Sequence, residues 1–332
     1  MSKRIPALTP KPIDQGQVIA NFPKRPRDSH KGMFGSVAVI GGATGMVGAP
    51  LLAARAALKL GAGCVHVGLL ADNAPVIDLL QPELMLHSAA ELLRHHRNPT
   101  HPNLPPEGEG TTAPPLSRGR LGGGWVDSLS PEKKKTNVMP MFNPDVFTIG
   151  CGMGTSKAAY KLLYEALKFK APIVLDADAL NLLASHTDLQ GDLRARKHSS
   201  VLTPHPGEAA RLLACEVKEV QADRIAAVQK LAQKFACSVV LKGADSLCAT
   251  RDSKLFVNRT GNPGMSAAGM GDVLSGMIAA FIAQGMSADD ALLLAVHLHG
   301  AAGDALAQQQ ASVGMTATEV TEWARWLLNQ WT

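Results

Sequence analysis

The chain has 332 residues, 46% of them hydrophobic and 18% charged, so it carries enough apolar material for a sizeable core. Its net charge of +5 arises from residues 1–31, which we interpret as a solvated basic leader, and the neutral remainder argues against nucleic-acid binding. The leader lacks the apolar region of a signal peptide, and no apolar run approaches the roughly 20 residues of a membrane helix. The five cysteines include no CxxC pair, which argues against a zinc site. We therefore predict a cytoplasmic protein without a membrane or zinc partner.

The first predicted unit is a strand at 36–40, a glycine turn, a helix at 49–60 and a second strand at 64–70. Such a β-α-β unit implies parallel strands and a right-handed crossover. The alternation continues with strands at 145–149, 172–175, 200–202 and 238–241, and with helices at 156–168, from 179, at 223–235 and at 273–283. Because it persists to the C-terminal region, we predict one doubly wound α/β domain over residues 32–332.

Residues 93–143 interrupt this pattern with a stretch rich in proline, glycine and charge. Loops of this length are usually disordered or functional, and we predict a flexible surface insertion. Three histidines within it (His95, His96 and His101), with His87 before it, form a less favoured candidate metal site.

The C-terminal segment 318–331 places Trp323, Trp326 and Leu327 at helical spacing. This spacing predicts an amphipathic helix. We expect its apolar face to pack on the core, with an oligomer contact as the alternative.

The distinctive motifs all follow predicted strands, where ligands bind in open α/β sheets. In GNPGMSAAGMGDVLSG, residues 261–276, small side chains let backbone N–H groups approach an anion closely, and the helix that starts near Asp272 adds the positive end of its dipole. The pattern indicates a phosphate or oxyanion site that contains a carboxylate. Asp272 is then a candidate general base for a hydroxyl that attacks phosphorus, and a helix N-cap is its alternative role.

The same motif resembles the signature of the bacterial NAD(P)H-hydrate dehydratases, which are relatives of the ribokinase-like sugar and vitamin kinases. Six further motifs occur in the family's order: GGATGMVGAPLLAARAALKLGAG, QPELM, GCGMG, VLDADALNLL, LTPHPGEAARLL and VVLKGADS. The resemblance covers residues 32–332 apart from the insertion. It implies a ribokinase-like α/β fold, a doubly wound and mostly parallel sheet flanked by helices, in a stand-alone form without the epimerase domain of some relatives.

The activity that this resemblance implies is a hydro-lyase reaction. It is the ADP-dependent dehydration of (6S)-NADHX and NADPHX to NADH and NADPH, with release of AMP and phosphate. Mg²⁺ is expected to bridge the phosphates of ADP, and no dedicated protein metal site is visible in the sequence. The implied partners are a separate NAD(P)HX epimerase and further copies of the chain in a homotetramer.

The resemblance also implies residue roles. Asp272 resembles the catalytic carboxylate, and it contacts the hydrate together with Ala49, Gly154 and His205. The nucleotide-binding positions are Lys242, Gly243, Ala244, Asp245, Ser246, Gly269, Met270 and Gly271. Alternatives remain open: Gly154 as a tight-turn residue, His205 as a rigid loop residue and Lys242 as a surface lysine.

Three further polar residues, Asp176, Asp178 and Asn181, stay open among helix caps, substrate contacts and Mg²⁺ ligands. The chain departs from the family at Ala267 and Ala268, where a threonine and a glycine are usual. This departure bears on nucleotide affinity and rate more than on fold or reaction type.

Three competing hypotheses remain. Gly42, Gly45 and Gly48, with Asp72 after the next strand, form an imperfect fingerprint of a Rossmann dehydrogenase. A vitamin-precursor kinase of the same fold would use Asp272 as a base and yield a stable phosphorylated product. A nucleotide sensor would bind without turnover.

Overall fold

A ten-stranded sheet forms the centre of the computed structural model, which describes residues 9–94 and 143–332. In chain order the strands are β1 Lys11–Pro12, β2 Ser36–Gly41, β3 Cys64–Leu69, β4 Met85–Ser88, β5 Val146–Ile149, β6 Ile173–Leu175, β7 Ser200–Leu202, β8 Ser238–Leu241, β9 Leu247–Ala249 and β10 Leu255–Val257. Across the sheet their order is β1-β10-β9-β8-β7-β6-β5-β2-β3-β4. Only β9 runs antiparallel to its neighbours within these described ranges, which confirms the mostly parallel, doubly wound sheet.

Helices cover both faces of the sheet. They are α1 Gln15–Ala20, α2 Gly48–Lys59, α3 Ala89–Arg94, α4 Lys157–Ala166, α5 Asp178–Ser185, α6 Thr187–Ala195, α7 Pro206–Leu213, α8 Val217–Ala222, α9 Arg224–Phe235, α10 Met270–Ala283, α11 Ala288–Gln309 and α12 Ala317–Trp331. Val37 and Val39 of β2 face the core formed with α2, α10, α11 and α12, while Ala38 and Ile40 face the core formed with α4–α7 and α9. All four are fully buried, as expected for a parallel strand covered on both sides.

The packing of α10 on α2 fixes the position of the phosphate motif. The sequence of α10 is apolar around almost its whole circumference, so the helix is buried between α2, α11 and the sheet. A β-carbon at Gly276 would lie 2.0 Å from the carbonyl oxygen of Ala53, so only glycine permits this approach. The start of α10, with Asp272 in its first turn, is thereby held at the carboxyl ends of the strands.

The predicted core strands and helices are confirmed, with small shifts at their ends. The largest relevant shift is at α10, which begins at Met270 rather than at 273. Helix α11, although it is 22 residues long, and the short strands β9 and β10 are not predicted from the sequence. Helix α11 is apolar on most of its surface, so it lacks the one-sided pattern that marks an amphipathic helix.

The described part of the predicted basic leader, 9–31, is mostly exposed, but a few of its residues attach it to the domain. Strand β1 pairs with β10, Val18 of α1 is buried, and the ring of Phe22 makes an edge contact with that of Phe281. Arg25 donates hydrogen bonds to the Gly61 carbonyl and the Gln284 side chain. Scattered apolar residues dock this segment although its composition is basic.

Two other expectations have different outcomes. The insertion at 93–143 lies outside the described residues except at its two ends, and so do His95, His96 and His101. Helix α12 is confirmed: Val320, Ala324 and Leu328 are buried in the core, and the predicted Trp323 and Leu327 pack against it partly buried. Trp326 is 52% exposed, so the prediction that it packs on the core is wrong. Within 9–94 and 143–332, no helix is long and apolar enough to cross a membrane.

Candidate active site at the carboxyl ends of the strands

Charged side chains from three strand ends meet at the carboxyl edge of the sheet. Asp176 follows β6 and Lys242 follows β8, and Lys242 Nζ lies 2.8 Å from Asp176 Oδ1. Ser275 of α10 donates a hydrogen bond of 2.7 Å to the other carboxylate oxygen of Asp176. Glu208 of α7 is also close to the lysine, with Oε2 at 3.9 Å from Nζ.

Asp272 does not cap its helix. Gly269 occupies the N-cap position of α10, and no side chain makes a cap hydrogen bond there. Ligand atoms of Asp272, Asp176 and Cys151 all lie within 4.8 Å of one another. Burial, and next the negative charge of Asp176, raise the pKa of Asp272 to about 6. The carboxylate is therefore a stronger base than an exposed aspartate.

The titratable groups around Asp272 differ in the direction of their pKa shifts. Burial opposes the charges of both Asp176 and Lys242, but their mutual attraction outweighs it, so the pKa of Asp176 is lowered and that of Lys242 is raised. Burial raises the pKa of Glu208 to about 7. Burial, followed by the charge of Asp272, raises the pKa of the Cys151 thiol well above its usual value, so the thiol is neutral.

The turn after β6 holds two carboxylates in a strained backbone. Ala177 adopts φ 47° and ψ −113°, a conformation that non-glycine residues avoid. Asp176 before it turns toward Lys242, and Asp178 after it accepts a hydrogen bond of 2.7 Å from the Gly154 backbone N–H. One carboxylate of this turn therefore lies in the charged cluster and the other on the GCGMG loop.

The GCGMG loop, residues 150–154, packs on the first glycine turn. The Gly42 and Ala43 N–H groups donate to the carbonyls of Cys151 and Gly152 at 3.0 and 2.7 Å. A β-carbon at Gly152 would lie 3.1 Å from Cβ of Ala49. Gly154 has φ +69°, which supports its role in a tight turn. A β-carbon at this position would meet only Cβ of Ala43, at 3.8 Å, so the space in front of Gly154 is open. The candidate hydrate-contacting positions Ala49 and Gly154 thus lie on the two loops that pack together here, Ala49 beside Gly152 and Gly154 beside Ala43.

His205 is the N-cap of α7. Its Nδ1 accepts a hydrogen bond of 2.9 Å from the Gly207 N–H, so the neutral ring carries its proton on Nε2. Nε2 lies 3.4 Å from Glu208 Oε1, and half of the side chain is exposed. Burial, and next the charge of Lys242, lower the pKa of His205. His205 therefore offers an N–H donor at the edge of the charged cluster.

The candidate nucleotide positions line one cavity of about 510 Å³. Its walls include Lys242, Gly243, Ala244, Asp245, Ser246, Met270 and Gly271, together with Asn258, Thr260 and His299. Gly269 adjoins them as the N-cap of α10, with φ +88°. A β-carbon at Gly271 would lie 3.1 Å from Lys242 Nζ, so this glycine keeps the cavity open beside the lysine. Ala267 and Ala268 are exposed.

Several residues of the site escaped the sequence analysis. Glu208 had a signal, because a glutamate three residues after a cap residue is the pattern of a capping box. Arg224 donates to the carbonyls of Leu241, Lys242 and Ala244 and so holds the KGADS segment, but nothing in the local sequence indicates it. His299, on the unpredicted helix α11, is buried, and its Nε2 has no hydrogen-bond partner among the described residues.

The donor atoms fit Mg²⁺ that arrives with a nucleotide rather than a resident metal. Asp176 and Asp272 offer carboxylate oxygens beside the cavity, and Mg²⁺ commonly uses one or two carboxylates together with substrate phosphates. The third member of this cluster, the Cys151 thiol, is a poor ligand for Mg²⁺. Asp176 is also engaged by Lys242 and Ser275.

Comparison with known proteins identifies relatives along most of the chain. The family model for NAD(P)H-hydrate dehydratase matches residues 37–101 and 126–325. The ADP-dependent (S)-NAD(P)H-hydrate dehydratase of Neisseria meningitidis is 39% identical over 313 residues, which cover 93% of this chain and 90% of that protein. The bifunctional NAD(P)H-hydrate repair enzyme Nnr of Coxiella burnetii is 36% identical over 93% of this chain, which spans 53% of it.

A solved structure shows the same fold. The ADP/ATP-dependent NAD(P)H-hydrate dehydratase of Bacillus subtilis, co-crystallised with ATP and Mg²⁺, superposes with a TM-score of 0.75 at 23% identity. The alignment covers 98% of this chain and all of that one. These matches do not favour the dehydrogenase hypothesis. With the family model and the Neisseria relative together, the chain belongs to the NAD(P)H-hydrate dehydratase family.

Proposed function

We propose that the chain catalyses ADP-dependent dehydration of (6S)-NADHX and NADPHX, with Asp272 as the catalytic base. The observation that carries this proposal is the position of Asp272. Its carboxylate does not cap the helix, has a pKa of about 6 and lies beside the cavity that Lys242 and Gly271 line. Family membership and the name of the Neisseria relative support the same reaction.

In the first step, Asp272 takes the proton of the C6 hydroxyl of the hydrated nicotinamide. The hydroxyl oxygen attacks the β-phosphorus of ADP, and the bond from that phosphorus to the bridging oxygen of AMP breaks. A pKa near 6 suits this role, because the carboxylate is ionised at neutral pH yet more basic than an ordinary aspartate. The fully charged Lys242 lies where it can attract the phosphates.

In the second step, the C6–O bond breaks and phosphate leaves. The lone pair of the ring nitrogen expels it, and transfer of the C5 proton to solvent restores the 5,6 double bond. The products are NAD(P)H, AMP and phosphate. Phosphorylation is needed because hydroxide is a far poorer leaving group than phosphate.

The remaining roles belong to the same proposal. Ala49, Gly154 and His205 contact the hydrate, and the backbone of residues 242–246 and 269–271 holds ADP. Mg²⁺, held by the ADP phosphates with Asp176, would neutralise charge on the transferring phosphoryl group. A separate epimerase supplies the 6S epimer, and the active form is a homotetramer. The five free cysteines support a reducing, cytoplasmic compartment.

The test is NADH formation from purified (6S)-NADHX with ADP or ATP and Mg²⁺, for the wild type and for Asp272→Asn. The substitution retains the shape of the side chain and removes the base, so we expect a loss of about 10²–10⁴-fold in kcat. Asp192→Asn on α6, outside the site, is the matched control and should retain full activity.

Three results would count against this proposal. Undiminished turnover in Asp272→Asn would remove the base from this position. A stable phosphorylated product would indicate a kinase, and nucleotide binding without turnover in the wild type would indicate a sensor.

A further inference from the structure

A second cavity, of about 700 Å³, lies at the same edge of the sheet on the side away from the nucleotide cavity. Residues after β2 and β3 form one wall, and residues of the GCGMG loop and α4 form another. Its polar lining includes Thr44, Asp72, Ser156 and Lys161. None of these residues has a role in the reaction steps above.

The GCGMG loop connects the lining of this cavity to the candidate reaction centre. Met153 lines the cavity, and Cys151, two residues earlier, lies within 4.8 Å of Asp272. Ala43 also lines it and donates its N–H to the Gly152 carbonyl at 2.7 Å. A ligand with its reactive ring at Asp272 can therefore extend past the GCGMG loop into this cavity.

The strand order indicates which kind of ligand this position suits. From β2 onward, the parallel strands lie in the order β4-β3-β2-β5-β6-β7, which is the doubly wound order 3-2-1-4-5-6. Ligands bind such sheets where the direction of the strand order reverses, here between β2 and β5. In dinucleotide-binding sheets of this order, the adenosine half lies over the first and second strands, the equivalents of β2 and β3.

The local sequence agrees with this placement. Gly42 and Gly45 both have positive φ in the turn after β2, and Asp72 follows β3. A carboxylate after the second strand accepts a hydrogen bond from the adenosine ribose in dinucleotide-binding units. The glycine fingerprint of the sequence thus has a use inside the dehydratase fold.

We propose that this cavity binds the AMP half of the dinucleotide hydrate, with Asp72 on the ribose and Lys161 on the phosphates. This inference rests on the proposed function. It also has a consequence for specificity, because a 2′-phosphate adds about −1.5 to −2 charges next to Asp72. NADHX is therefore the better substrate, and NADPHX is disfavoured by like-charge repulsion.

The test compares kcat/KM for NADHX, NADPHX and the hydrate of reduced nicotinamide mononucleotide, which lacks the AMP half. Asp72→Asn should reduce the preference for NADHX over NADPHX by about tenfold. Lys161→Gln should lower kcat/KM for both dinucleotides by about five- to tenfold and leave the mononucleotide within twofold. Lys157→Gln, one turn earlier on α4 and exposed, is the matched control and should change nothing.

A binding measurement separates this inference from the proposed reaction. Dissociation constants of NADH and NADPH, read from nicotinamide fluorescence, should shift in the same sense in both variants whether or not turnover occurs. Equal effects on the mononucleotide and the dinucleotides, or no effect on any of them, would overturn the inference. If the two variants show these shifts in dissociation constant but the wild type shows no turnover, the proposed function is contradicted and the cavity assignment stands.

Discussion

At the scale of single residues, the site depends on two aspartates whose pKa values diverge. Asp176 is fully buried but engages Lys242 at 2.8 Å, so it stays ionised and fixes the lysine. Burial and the neighbouring negative charge of Asp176 both disfavour the ionised form of Asp272, so its pKa rises to about 6. Neighbouring titratable groups whose pKa values are driven apart commonly divide structural and proton-transfer roles. We therefore predict that Asp176 has the structural role and that Asp272 transfers the proton.

The pH dependence of turnover follows from this division. A carboxyl group must be ionised to accept a proton. Because the pKa of Asp272 is raised, its carboxyl stays protonated up to a higher pH than that of an ordinary aspartate. We expect kcat to fall by about tenfold per pH unit below about 6, rather than below the usual value near 4. The measurement is kcat with saturating ADP and NADHX from pH 4.5 to 8, with unfolding followed at each pH as the control. An acidic limb near 4 would contradict the assignment.

At the scale of elements, close packing of α2 and α10 places the first turn of α10. The backbone of Ala53 occupies the space that a side chain at Gly276 would need. Gly191 in α6 is a useful contrast, since a β-carbon there would meet nothing within 4 Å. The same substitution at these two glycines should therefore have opposite effects.

We predict that Gly276→Ala lowers the free energy of unfolding by about 2 kcal/mol or more, through backbone overlap with α2. Gly191→Ala should raise it by about 0.5–1 kcal/mol, because alanine loses less backbone entropy in a helix. Urea unfolding monitored by circular dichroism provides both values. Equal shifts for the two variants would show that the α2–α10 approach is less tight than described.

At the scale of the whole molecule, the described part of the leader closes one side of the domain. Val18 and Phe22 contact the core that contains α10, and β1 extends the sheet beside β10. The basic residues of the same segment remain largely exposed. Charge therefore describes the outer surface of this segment, and its few apolar residues determine where it docks.

Phe22→Ala should lower the free energy of unfolding by about 1–3 kcal/mol, less than for a fully buried phenylalanine. The loss has a specific source, the edge contact of its ring with Phe281 at 5.7 Å between centroids. Lys24→Ala, exposed and two residues away, is the control. If both variants unfold like the wild type in thermal denaturation, the segment is not docked in solution.

Local sequence determined the repeating strands and helices, because the strand runs are apolar and glycine turns end them in β2, β5 and β8. It also predicted Asp272 as the residue that carries the chemistry, since small residues around a carboxylate at 261–276 are typical of a phosphate site. Only the tertiary structure decided their neighbours. Cys151, Asp176 and Asp272 meet because β5 and β6 are adjacent and α10 packs beside them, and strand order depends on long-range packing that no local pattern encodes. The docking of the leader was decided in the same way, by the Phe22–Phe281 ring contact and the Arg25–Gln284 hydrogen bond, whose partners are more than 200 residues apart along the chain.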